Sequence, residues 1–153
     1  MNINDFKYAW RFIDEKFAKF SNEELSQIRI TDIGNARAKW DKIVNFVVFE
    51  RSSYIKSFVE RTAPVFIGDC GWGSNEAERT TKRFICEYLG KNNITNIALL
   101  YDRDTALETN STLFCEKWSD FCYPDDSIVI LFGSEFMIYY EDILYGIYRR
   151  RFF

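Results

Sequence analysis

"SIVILFGSEFMIYY", residues 127–140, decides the fold. Six residues dominated by Ile, Val, Leu and Phe are followed by Gly133-Ser134 and then by six more of strand composition. Branched and aromatic side chains suit a pleated, half-buried surface, and a Gly-Ser break between two such runs marks a tight hairpin. Residues 127–132 and 135–140 are therefore predicted to be paired antiparallel strands. Residues 144–149 can add a third.

Upstream of the hairpin, residues 97–101 (IALLY) form an apolar run of buried-strand length, and 105–109 supply a partner. Between these strands and the hairpin, Asn110 or Ser111 can cap a helix carrying Phe114, Trp118, Phe121 and Cys122 on one face, and Pro124 stops it. Asn75-x-x-Glu78 fits a capping box ahead of a helix whose Ala77, Thr81, Phe84, Ile85 and Tyr88 share a face, with Gly90 placed to end it. Earlier still, Ile33, Ala36, Trp40, Ile43, Val44 and Val47 recur at three- and four-residue steps, which predicts a helix capped by Thr31 and reaching residue 48 or beyond. Ser21-Asn-Glu-Glu24 is another capping box, for a short helix over 22–28. Residues 8–13 (YAWRFI) have strand composition, 54–59 read as a helical piece broken at Ala63-Pro64, and 68–74 (GDCGWGS) as a connecting loop. Helices followed by hairpin-linked strands predict one α+β domain, its N-terminal helices packed on one face of a C-terminal antiparallel sheet.

The totals agree with a single domain. A chain of 153 residues buries about 68–70% of its unfolded surface without staples. Fifteen Phe and nine Tyr point to a core of large rings. No window approaches the roughly 18 uninterrupted apolar residues of a membrane span. The start carries Asp5, Lys7 and Arg11 where a leader would be apolar, so the expected location is the cytoplasm, with no membrane partner. Cys70, Cys86, Cys115 and Cys122 make no CxxC and no close cluster, which predicts buried, reduced thiols and no structural zinc.

Histidine is absent, which removes the commonest general base and most catalytic zinc sites. GDCGWGS lacks both the GxGxxG spacing and a following Gly-Lys-Ser/Thr, so no nucleotide-binding loop is read from it. Three arginines at 149–151 read as a solvated strand end. The charge is unevenly spread: residues 102–126 hold seven acidic and two basic side chains, net −5, in a chain whose total is −3. Phosphate contacts need Lys and Arg, so this segment argues against a nucleic-acid partner and for a basic protein.

Three stretches of the C-terminal half carry a resemblance: LLYDRDTALET at 99–109; Phe114-x-x-x-Trp118-x-x-Phe121-Cys-Tyr-Pro-Asp-Asp126; and Met137-Ile-Tyr-Tyr-Glu-Asp142. They resemble small bacterial immunity proteins encoded beside contact-dependent or polymorphic toxin genes. Ala9-Trp-Arg-Phe12, Glu24-Leu-x-x-Ile28 and Ala36-x-x-x-Trp40 resemble an uncharacterised bacterial domain-of-unknown-function family with a similar C-terminal half. Together the resemblances cover two-thirds of the chain and leave residues 48–91 unmatched. Relatives often carry a histidine in the tyrosine-acid strand motif, and its absence here weakens an inherited catalytic or metal role.

The resemblance implies a non-catalytic protein, without cofactor or metal, that blocks a cognate toxin by direct contact, the toxin domain being a nuclease with a basic groove. Asp102, Asp104, Glu108, Asp120, Asp125 and Asp126 are then the candidate toxin-facing carboxylates, with Trp72 and Tyr123 as aromatic anchors on loops. The competing expectation is an enzyme using Asp102, Asp104, Glu108, Asp125 and Asp126, with or without Mg²⁺. A third is a regulatory or structural binding module with no toxin partner. Exposed sheet edges would also allow a homodimer.

Overall fold

Residues 2–44, 66–69, 75–123, 126–132, 135–140 and 143–147 are described by the computed structural model. Along them run a 3-10 turn (Ile3–Asp5), α1 (Trp10–Ile13), α2 (Asn22–Ser26), β1 (Ile28–Ile30), α3 (Ile33–Val44), β2 (Phe66–Asp69), α4 (Asn75–Lys91), β3 (Asn96–Asp102), β4 (Thr105–Asn110), α5 (Ser111–Phe121), β5 (Ser127–Phe132), β6 (Glu135–Tyr140) and β7 (Ile143–Ile147). The class is α+β, as the sequence predicts.

The strands make one antiparallel sheet in the order β1-β4-β3-β5-β6-β7-β2. β5 and β6 pair from Ser127↔Tyr140 to Phe132↔Glu135, the register of the predicted hairpin. β7 extends the meander from Tyr140↔Ile143. β3 lies between β4 and β5, with Leu99 opposite Leu107 on one side and Ile130 on the other. Both edges come from the N-terminal half and escape prediction. β1 pairs with β4 through Ile30↔Leu107, and β2 with β7 through Ile67↔Tyr145. Strands of three and four residues are too short to show a period. The predicted helix over 22–28 consequently stops at Ser26, and the predicted loop at 68–74 begins inside β2.

Side chains alternate across the sheet. Leu99, Leu107, Ile130, Met137 and Tyr139 point into a core shared with Ile85 and Leu89 of α4, Phe114, Trp118 and Phe121 of α5, and Phe6, Phe12 and Phe20 of the N-terminal segment. On the other face Ala98, Leu100, Ala106, Val129, Phe136 and Ile138 are buried too. There α3 packs against β3 and β4, with Ala36 fully buried. Helices therefore cover both faces rather than one. The signal lay in the continuous apolar runs IALLY and SIVILF, since a strand wetted on one side alternates.

Three local expectations also change. Residues 8–13 form a helical turn, closed by Phe12 and Ile13 N–H groups donating to the Ala9 carbonyl at 2.9 and 3.2 Å. Phe6, Ala9 and Phe12 are buried at three-residue intervals, a helical spacing that outranks the strand-like composition. Asp32 rather than Thr31 caps α3, its carboxylate accepting from the Asn35 N–H at 3.0 Å. Gly90 sits within α4, and Asn93 beyond its end takes the left-handed conformation at φ 55°. Cys122 is buried as expected, whereas Cys86 and Cys115 are half-buried. The capping box at Ser21 and the Asn110 cap of α5 form as predicted. The helical readings past residue 44 and over 54–59, and the readings of Cys70, Trp72, Pro124, Asp125 and 149–151, fall outside the described residues.

Candidate functional site

The turn that buries Phe6, Ala9 and Phe12 leaves Trp10 and Ile13 facing solvent and sets Arg11 at the boundary. Arg11 is only 1% exposed. Its Nη1 donates to the Phe121 carbonyl at the end of α5 (3.0 Å) and to Asp126 Oδ2 (2.7 Å), while Nη2 donates to Asp126 Oδ1 (3.2 Å). The rings of Tyr8, Trp10, Tyr101 and Tyr123 surround the guanidinium at 4.8–5.1 Å. A buried charge is tolerated when a forked ion pair and π faces replace its water. Burial pulls hardest against the Arg11 charge, but the hydrogen bonds to Asp126 and the charges of Tyr101, Asp126 and Cys122 together outweigh it, so the guanidinium is held firmly protonated. Tyr101 donates its hydroxyl to the same Phe121 carbonyl at 2.8 Å, and burial pushes that phenol well up. Asp126 also accepts the Tyr123 N–H at 2.8 Å, which fixes the turn after α5.

Over this buried pair lies an exposed aromatic cluster. Trp10 (38% exposed) and Phe17 (49%) approach to 4.7 Å between ring centres, and Tyr123 closes the triangle at 5.3 Å from Trp10 and 6.1 Å from Phe17. Asp120, three residues before Tyr123 on α5, is half-buried and makes no hydrogen bond or ion pair with the described residues. Burial raises its carboxyl; Lys117 opposes this, and Glu78 and Glu24 add to it. Lys117 is itself directed to Glu24 at 3.6 Å. Burial also raises the Tyr123 phenol, with the Asp120 charge pushing the same way.

The remaining predicted carboxylates do not converge. Asp102 accepts from Lys7 at 3.1 Å, and Asp104 takes a fork from Arg37 at 2.6 and 3.1 Å. Glu108 lies between Arg29 and Lys39. The Arg37 hydrogen bonds lower the Asp104 carboxyl; burial would raise Glu108, but Lys39 and Arg29 prevail and hold it low. Cations from the first forty residues thus cover most of the acidic segment, and of the described candidate carboxylates Asp120 alone makes no ion pair with the described residues. Among the described residues no three His, Cys, Asp or Glu gather as metal ligands, and no helix is long and apolar enough to cross a membrane.

A family described as a protein of unknown function (DUF2947) matches residues 1–140. The chain belongs to that family. The family's span holds Arg11, Asp126, Asp120 and the aromatic cluster, and it also takes in residues 48–91, which the sequence resemblance left unmatched. Neither a curated protein nor a solved structure matches the chain. Tyr123 and Asp120 of this site were legible in the sequence; Trp10, Arg11 and Phe17 were not. One signal was available: an arginine flanked by Tyr8, Trp10 and Phe12 is the composition of a ring-caged cation.

Proposed function

We propose that this chain is a cytoplasmic immunity-type inhibitor, which binds one basic toxin domain without catalysis and uses the Trp10, Phe17, Tyr123 and Asp120 face to do so. The observation that carries this proposal is Asp120. A half-buried carboxylate with no hydrogen bond or ion pair among the described residues weakens the fold, and beside exposed aromatics it has the form of half an ion pair awaiting its partner. A Lys or Arg from the toxin would complete it. Trp and Tyr are the commonest anchors of protein interfaces, and the buried Arg11–Asp126 pair beneath holds Trp10 and Tyr123 in place before binding. Immunity is favoured over carboxylate catalysis because Asp102, Asp104 and Glu108 are each tied to their own cations. Asp104 and Glu108 are held low, whereas an acid-base pair needs its acidities pushed apart.

The test is co-expression with the product of the gene immediately upstream, scored for growth rescue and for co-elution as a one-to-one complex. Asp120→Asn should weaken that complex at least about tenfold and flatten its salt dependence. Rescue that is insensitive to Asp120→Asn and to Trp10→Ala would place the interface elsewhere. Absence of toxicity and of a complex would remove the proposal.

A further inference from the structure

On the sheet face away from the main core, β1, β4 and the C-terminal half of α3 enclose a cleft of about 690 Å³. That volume is ample for a small molecule, for which sites of about 300–1,000 Å³ are usual. The cleft is basic in an acidic protein. Arg29 of β1 stands opposite Glu108 of β4 in the strand register, and Lys39 of α3 reaches the same carboxylate from above. Lys42, one turn further along α3, lines the same cleft and has no hydrogen bond or ion pair with the described residues. Among the described residues three cations therefore face one carboxylate, two positive charges in excess, while Ala98 and Leu131 make an apolar floor.

We propose that this cleft binds a small phosphate monoester. Its phosphate would lie between Lys42 and the Arg29–Lys39 pair, with its organic portion on the Ala98–Leu131 floor. The excess charge matches a phosphate dianion, and Arg29 supplies the planar fork that such oxygens accept. Glu108 competes with the ligand for Arg29 and Lys39, so it sets the affinity. The aromatic cluster and Asp120 belong to α1, α5 and the segments beside them and take no part, so this assignment stands or falls independently of the inhibitor function.

The experiment is calorimetric titration of the whole chain with AMP, inorganic phosphate and adenosine at fixed ionic strength. AMP should bind saturably and more tightly than phosphate, and adenosine should not bind. Lys42→Ala, a change at an exposed position, should weaken AMP binding at least about fivefold, while Glu108→Gln should tighten it about threefold by releasing Arg29 and Lys39. The tightening is the more diagnostic result, because a merely structural ion pair would give no gain on its loss. No saturable binding of AMP to either the native chain or Glu108→Gln would overturn the proposal. So would adenosine binding as well as AMP, or indifference to both substitutions.

Discussion

Arg11 is the residue on which the site rests. It joins the first helical turn to the turn after α5, across 115 positions of chain, by a fork to Asp126 inside a cage of four rings. Removing one partner of a buried pair leaves the other charge stranded, so Arg11→Met should destabilise the fold by about 3–5 kcal/mol in urea unfolding. Arg11→Met combined with Asp126→Asn should lose less than the two single changes added together, by about 1 kcal/mol or more, because the stranded charge is gone. Simple additivity would mean that the fork contributes nothing beyond packing. Asp120 works in the opposite direction. Burial raises its folded-state pKa above the ordinary value of 3.8. In the window above 3.8 the folded chain therefore holds more protons than the unfolded one, and stability falls as pH rises through it. Asp120→Asn should remove that fall and raise the melting temperature at pH 7, with no gain at pH 3, where both states are protonated. A substitution that stabilises the chain and weakens partner binding is the expected mark of a residue kept for function.

Single side chains also decide how elements join. Asn110 accepts the Leu113 N–H at 2.8 Å to cap α5 and donates to Gln27 at 2.6 Å, tying β4 to the residue before β1. Asn110→Ala loses both interactions and should cost about 1–2 kcal/mol. Asn110→Asp keeps the acceptor and adds a favourable charge at the helix start, so it should recover about half of the loss by the same urea measurement. This cap was legible because capping is local, as were the Ser21 box and the pairing of β5 with β6. The edge strands were not, since Ile28–Ile30 becomes a strand only when β4 is beside it. Arg11 escaped for the same reason: each partner that neutralises or encloses it, beyond its immediate neighbours, comes from β3 or from the turn after α5. Tyr123 and Asp120 were candidates because a stretch rich in aromatic and acidic residues draws attention unaided. What separates Asp120 from Asp102, Asp104 and Glu108 is the position of the N-terminal cations, which no local pattern encodes.

At the scale of the whole molecule, cations from the first third of the chain fold over its acidic segment 102–126. Lys7, Arg29, Arg37 and Lys39 each meet a carboxylate from that segment, and Asp41 of α3 returns the relation with Arg103 at 3.0 Å. Such pairs are mostly exposed, so each is individually weak and screened by salt. Their effect is collective and has a definite sign. Arg103 lowers the Asp41 carboxyl and Arg37 that of Asp104; the Ser21 N–H lowers Glu24; at Glu108, Lys39 and Arg29 overcome burial to the same end. For these groups the unfolded chain binds more protons in the window below the ordinary values of 3.8 and 4.5, so stability is present above that window and is lost as pH falls through it. Asp120 acts above 3.8 with the opposite slope. Native stability should therefore rise from pH 2 to a maximum in the upper carboxylate range and then decline slightly towards neutrality. Raising NaCl from 20 to about 500 mM should shrink the acid limb, which comes from exposed pairs, and should spare more of the decline, which comes from a half-buried group. Urea midpoints measured from pH 2 to 7 at both salt concentrations, for the native chain and Asp120→Asn, separate the two contributions. A decline that survives Asp120→Asn would mean that another buried acid produces it, and the carboxylate would then lose its place as the unpaired charge of the candidate site.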